Sequence, residues 1–161
     1  MIRGLHHVAL NTNNFDRMLE FYRDALGFEI VFESRWVDAP DIDAVTGLEG
    51  SAARAVMLRG YNAFLELFAY STPEARVFGP LRPSDRGYTH FCLEVVDIDA
   101  EWERLSKAGM TFPGPPMQAG GMKAIYGRDP EGNVIELLEI VSAEGPRLPG
   151  RTKARRALVS G

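Results

Sequence analysis

With one cysteine in 161 residues, Cys92, the chain can close no internal disulfide, so a covalent framework is excluded as the basis of its fold. Set between Phe91 and Leu93, that cysteine reads as a buried, unreactive thiol. Long apolar runs are missing too. None approaches the ~20 residues needed to cross a bilayer, and the first apolar stretch, from Ile2, already holds His6 and His7 and follows no basic segment. These absences predict a cytoplasmic chain without a membrane partner. Positive charge is scarce over residues 1–141, which carry 13 Lys/Arg against 21 Asp/Glu. The last twenty residues reverse the balance, with Arg147, Arg151, Lys153, Arg155 and Arg156 against Glu144. No aromatic interleaves these cations, so residues 142–161 read as a basic, solvated tail and not as a nucleic-acid arm. Histidine is also rare. There are three, and two of them, His7 and His90, occupy the same column of one seven-residue frame, Gly-x-x-His-x-x-Leu, at "GLHHVAL" and "GYTHFCL".

That frame opens a longer internal repeat. "LHHVALNT" alternates as a strand and leads into a helical period of Phe15, Met18, Leu19, Tyr22, Ala25 and Leu26, with Asn14 placed to cap and Gly27 to terminate. "YTHFCLEVVD" and "DIDAEWERLSKAG" repeat the plan, with Gly109 as the stop. Three extended segments follow each helix: "FEIVFESRWV", "ARAVMLRG" and "AFLELFAY" in the first half, "MTFP", "MKAIYGRD" and "NVIELLEI" in the second. The chain is therefore expected to be α+β, a single domain over 1–141 made of module one (1–70), a proline-rich linker (71–86) and module two (87–141). "DAPDIDAVTGLEGSA" lengthens the first module as a loop inserted after its second strand.

Aligning the two halves superposes His7 on His90, and Glu66 in "FLELF" on Glu136 in "VIELL". Strand alternation puts His7 on one face and sends His6 to the other, with Val8 and Leu10. Carboxylates that interrupt apolar strands are costly to bury alone. A divalent cation removes that cost, and two imidazoles with two carboxylates and no thiolate suit Zn, Ni, Co, Mn or Fe(II) alike.

On "LHHVAL", "FYRDALGFEIV", "FLELF", "THFCLEVVDID" and "GRDPEGNVIELLEI", residues 3–141 resemble the vicinal oxygen chelate superfamily, which includes glyoxalase I, methylmalonyl-CoA epimerase, extradiol dioxygenases and the fosfomycin- and bleomycin-resistance proteins. The resemblance implies paired βαβββ modules whose sheets curl into an open, barrel-like cup with helices outside. It also implies one divalent metal held by His7, Glu66, His90 and Glu136, and, by analogy, a homodimer.

The reaction so implied is proton transfer beside a carbonyl of a small α-oxygenated or acyl-thioester substrate, an isomerisation or epimerisation, with Glu136 or Glu66 as base. Glu49, in "GLEGSAARAVML", stands near the place of the second acid of resembling epimerases, one residue out of register. Phe68, on the strand face of Glu66, and Tyr126 are expected to line the substrate pocket, and Lys123, in "GGMK", to meet an anionic substrate. Asn11 and Tyr70 replace the Arg and Asn with which resembling glyoxalase I enzymes hold glutathione. The alternatives are an extradiol ring-cleaving dioxygenase, disfavoured by Glu66, and a non-catalytic antibiotic-binding protein, disfavoured by the full ligand set.

Overall fold

The structure, a computed structural model, describes residues 1–76 and 79–148. From Pro149 on, the expected basic tail lies outside the described residues. The chain divides into two compact units, Met1–Leu81 with Pro130–Gly132, and the described residues of Arg82–Asp129 with those from Asn133 on.

The first unit runs β1 (His7–Asn11), α1 (Phe15–Glu20) continued by a π-helical turn (Phe21–Ala25), β2 (Glu29–Val37), α2 (Pro40–Thr46), β3 (Ala52–Arg59) and β4 (Phe64–Thr72). Its sheet has the order β1-β4-β3-β2; β1 is parallel to β4 and the other pairs are antiparallel. Alternation gives the sheet two faces. Val56 and Leu58 of β3 and Leu65 and Leu67 of β4 are buried on the face that carries α1, whose Phe15, Met18 and Leu19, with Tyr22 beyond them, close the core. Each such side chain contributes about 1.5–3 kcal/mol on burial. Arg54 of β3 ties helix to sheet: it donates to Asp16 of α1 at 2.8 Å and lies 4.1 Å over the Phe15 ring. The expected side-chain cap by Asn14 does not form. Its own N–H is held by Thr12 Oγ1 at 2.9 Å, and α1 starts on its carbonyl, which accepts from Met18.

The second unit repeats the plan with β5 (His90–Glu94), α3 (Ile98–Lys107), β6 (Met117–Ala119), β7 (Met122–Arg128) and β8 (Val134–Ile140), ordered β5-β8-β7-β6. Ile98 and Leu105 of α3 close over Ile135 and Leu137 of β8. The helix is capped twice, by the Asp97 side chain accepting from Ala100 and by Glu139 of β8 accepting from the N–H groups of Asp97 and Ile98.

The fold is α+β with two open, mixed, four-stranded sheets of βαβββ connectivity. Two segments differ from expectation. "MTFP" is not a strand; only Thr111 makes an isolated bridge, to Arg128, and β6 forms later, because Pro113, Pro115 and Pro116 remove the donors a ladder needs. Within the inserted loop, Pro40 at the first helical turn and Gly47 at φ +71° bracket the unforeseen helix α2.

Candidate active site

Parallel pairing builds the same corner in both units. In the first, His7 of β1 stands opposite Phe64 of β4 and Ala9 opposite Glu66, so His7 and Glu66 lie diagonally on one face, turned away from α1. His7 Nε2 is 3.5 Å from Glu66 Oε2. In the second, His90 stands opposite Val134 and Cys92 opposite Glu136; His90 Nε2 is 3.2 Å from Glu136 Oε2. Both pairs are partly accessible, with side-chain exposures of 39% and 24% in the first and 26% and 19% in the second.

These distances test the donor set against a cation. Around a tetrahedral or octahedral ion at metal–ligand distances near 2.1 Å, neighbouring ligand atoms stand roughly 3.0–3.4 Å apart. Each His–Glu pair holds its nitrogen and oxygen close to that spacing on an open strand face, and among the described residues no Lys or Arg is paired with either carboxylate. The residues fit a divalent ion of the nitrogen- and oxygen-preferring class. Among the described residues no group of three or more ligating side chains is gathered, and each pair stands by itself in its own unit.

The rings' other nitrogens are occupied. His7 Nδ1 lies 2.9 Å from His6 Nδ1, and His90 Nδ1 lies 2.9 Å from Thr89 Oγ1. His6 therefore departs from the expected alternation. It precedes the first ladder residue, stacks on Phe64 at 4.8 Å and meets His7 edge-on. Its ring is on the His7 face because the strand's alternation has not yet begun there.

Tyr126 of β7 pairs in register with Glu136, and its ring rests 4.7 Å from that of His90. Burial chiefly, with the Glu136 charge next, raises its phenol. Cys92 corrects the sequence reading: it is exposed on the pair's face, where partial desolvation of the thiol and the neighbouring Glu136 push it up to about 12. An exposed cysteine here stays a thiol.

On the face of Glu66, Phe68 packs against Trp36 at 6.1 Å and Tyr70 at 5.6 Å, and Trp36 and Tyr70 meet at 5.8 Å. The Trp36 indole N–H donates to Ser51 Oγ at 3.0 Å, and the N–H of Ser51, which is fully buried, donates to Asp43 of α2. The Ser51 hydroxyl holds the Asp43 carboxyl below the usual range. Nothing in the sequence marks this chain from α2 to the aromatic wall. Serine and aspartate are too common in loops to flag it.

Two expected residues stand apart. Lys123 of β7 is three residues from Tyr126 and so points to the opposite face, where it pairs with Asp99 of α3; strand alternation removes it from the pocket. Glu49 is exposed on the loop between α2 and β3.

Residues 4–137 match the model of the Glyoxalase/Bleomycin resistance protein/Dioxygenase superfamily. A 2-epi-5-epi-valiolone epimerase from Actinomyces sp is 31% identical, over 85% of this chain and 79% of its own. A lactoylglutathione lyase from Haemophilus influenzae is 26% identical, over 83% and 90%. A solved glyoxalase family protein from Bacillus cereus superposes with a TM-score of 0.79 at 23% identity, covering 88% of this chain and 97% of its own. The relatives so named are enzymes, the solved protein shares the two-sheet fold, and the chain belongs to the Glyoxalase/Bleomycin resistance protein/Dioxygenase superfamily.

Proposed function

We propose that the protein is a metal-dependent epimerase or isomerase acting on a small α-oxygenated or acyl-thioester substrate, with His7, Glu66, His90 and Glu136 holding one divalent ion. The observation that carries this reading is the duplicated His–Glu corner, two pairs at ligand spacing on equivalent strands. When bound, the ion supplies Lewis acidity toward a substrate carbonyl, lowering the cost of removing a proton from the adjacent carbon.

The chain's own groups complete the chemistry. Glu136 is the more enclosed carboxylate, flanked by Cys92 and faced by Tyr126, and it takes the proton and returns it. Delivery to the opposite face of the same carbon, which takes Glu66 as the second acid or a substrate that turns over, is epimerisation, and return by Glu136 to the neighbouring carbon is isomerisation. Glu66 is the second base. Phe68 and Tyr126 bound the substrate, and Trp36 and Tyr70 extend the wall beside Glu66. An epimerase among the relatives supports the first outcome. Tyr70, packed among aromatics where resembling glyoxalases hold glutathione with an Asn, and Asn11 in place of their Arg favour a substrate other than a glutathione conjugate. Since each unit supplies half of the ligand set, the full sphere takes both pairs, from one chain or from two copies in a homodimer. A cytoplasmic setting belongs to the same reading, and among the described residues no helix is long and apolar enough to cross a membrane.

The test is solvent exchange. Metal-loaded protein in deuterated water, given a panel of acyl-CoA esters and α-hydroxy ketones, is expected to place deuterium at the α-carbon of its substrate, and Glu136→Gln to abolish the signal. Protein purified without chelator that neither carries nor takes up Zn, Ni, Co, Mn or Fe(II) refutes the reading.

A further inference from the structure

We infer that His6 and Thr89 are a duplicated pair of positioning residues, each accepting a hydrogen bond from the Nδ1–H of the histidine that follows it and so presenting that ring's Nε2 lone pair to the cation. The inference rests on the metal centre proposed above and extends it to two residues outside the ligand set.

Repetition is the first argument. His6 and Thr89 occupy the same column of the seven-residue frame, one place before His7 and His90, and each puts an acceptor-capable atom 2.9 Å from Nδ1 of its neighbour. Their chemistries differ, imidazole in one unit and hydroxyl in the other, yet both can accept one N–H. A structural accident has no reason to recur at equivalent positions with different side chains.

The second argument is the tautomer. A neutral imidazole carries one N–H, and a ring that ligates through Nε2 must carry it on Nδ1, where it needs an acceptor. Nε2 is the nitrogen facing the carboxylate in both units, 3.5 Å from Glu66 and 3.2 Å from Glu136. Two Nδ1 atoms in contact share a single hydrogen; with it on His7, His6 accepts through its own Nδ1 and carries its hydrogen on Nε2. Stacking on Phe64 holds the His6 ring for this role.

Backbone geometry is the third. Adjacent residues within a strand normally face opposite ways, so a residue at this place reaches the ligand ring most readily at the strand's end. β1 begins at His7 and β5 at His90, leaving His6 and Thr89 one place ahead of the first registered residues, with the His6 carbonyl still accepting from the Phe64 N–H at 2.9 Å. Two residues further back stand Gly4 at φ +151° and Gly87 at φ +116°, conformations that L-residues rarely adopt. An added Cβ at either glycine meets nothing within 4 Å, so backbone conformation and not space calls for glycine there. The recurring unit is thus glycine, any residue, acceptor, ligand.

Paired variants of the full chain test this. Thr89→Val keeps shape and loses the acceptor, and Thr89→Ser restores it; His6→Phe keeps a ring on Phe64, and His6→Asn returns an acceptor near the Nδ1 place. In competition with a chromophoric chelator, the Val and Phe variants are expected to bind Ni(II) and Zn(II) about 10–100-fold more weakly than wild type, with most of the affinity recovered in Ser and Asn. Nitrogen-15 spectra of the Zn-loaded wild type should show His7 and His90 protonated at Nδ1. If wild type binds metal and His90→Ala abolishes it while Thr89→Val and His6→Phe bind like wild type, the positioning role is overturned and the metal centre stands. Zn-loaded spectra with the hydrogen on Nε2 overturn it even if a variant fails to fold. A wild type that binds no metal removes both readings.

Discussion

Chelation separates the worth of the proposed cation from that of the side chains proposed to hold it. Without metal, His90 and Glu136 form a partly exposed pair, 26% and 19% accessible, a contact that contributes under about 1 kcal/mol. His90→Ala in metal-free protein is therefore expected to shift the melting temperature by only a few degrees at most. A ligand that binds only the folded state stabilises it by RT ln(1 + [L]/Kd), about 2.7 kcal/mol at a hundredfold excess over Kd. For a chain of this length each kcal/mol moves the midpoint by roughly 2–4 °C, so saturating Ni(II) or Zn(II) should raise it by about 5–11 °C. The assay is thermal unfolding followed by circular dichroism, with chelator, with metal, and with metal followed by excess chelator. The metal-dependent rise should disappear in His90→Ala and in Glu136→Ala while the chelated midpoints stay close to wild type. An unchanged wild-type midpoint across all five candidate divalent ions refutes the reasoning, and so does an equal rise in both variants, which would place the bound metal elsewhere.

Further outcomes follow from the same geometry. Glu136→Gln should reduce α-carbon exchange about 10²–10⁴-fold, and Glu66→Gln by less, since Glu136 is the more enclosed base; equal losses would contradict that assignment. In metal-free protein near pH 8, Cys92 should alkylate with iodoacetamide about 50–100-fold more slowly than a free cysteine, because its thiol is pushed up to about 12 and the greater nucleophilicity of the rarer thiolate offsets only part of that. Asp43, whose carboxyl is lowered by the Ser51 hydroxyl, contributes stability that is present above the unfolded value of about 3.9 and lost as pH falls through the lower folded value. Trp36 fluorescence should accordingly report a transition below about pH 4 that Asp43→Asn removes. Leu67→Ala, at a fully buried position, should cost about 2–5 kcal/mol by urea denaturation.

The period of two in the strands explains which parts of this site the sequence discloses. Glu66 and Phe68 are two apart on β4 and share a face, as alternation requires, and the parallel register then sets His7 beside them. The repeat supplies the rest, since whatever β1 and β4 do in one half β5 and β8 do in the other. The expectation that Lys123 joins Tyr126 on the pocket side is one the same rule forbids for residues three apart on one strand; Asp99 of α3, its partner, is visible only once the helix is docked. His6 fails the rule for the opposite reason. Alternation holds only between paired residues, and whether pairing begins at position 6 or 7 depends on a ladder edge that no single strand encodes. Prolines and glycines did carry boundary information: Pro113, Pro115 and Pro116 exclude the early strand, and Pro40 with Gly47 brackets α2. Hydrogen bonds such as Trp36 to Ser51 join residues fifteen apart through side-chain directions that composition does not specify. The proposed ligand residues are thus legible where they interrupt a repeated apolar pattern. The groups proposed to orient them become visible only through the backbone that brings each one back to its neighbour.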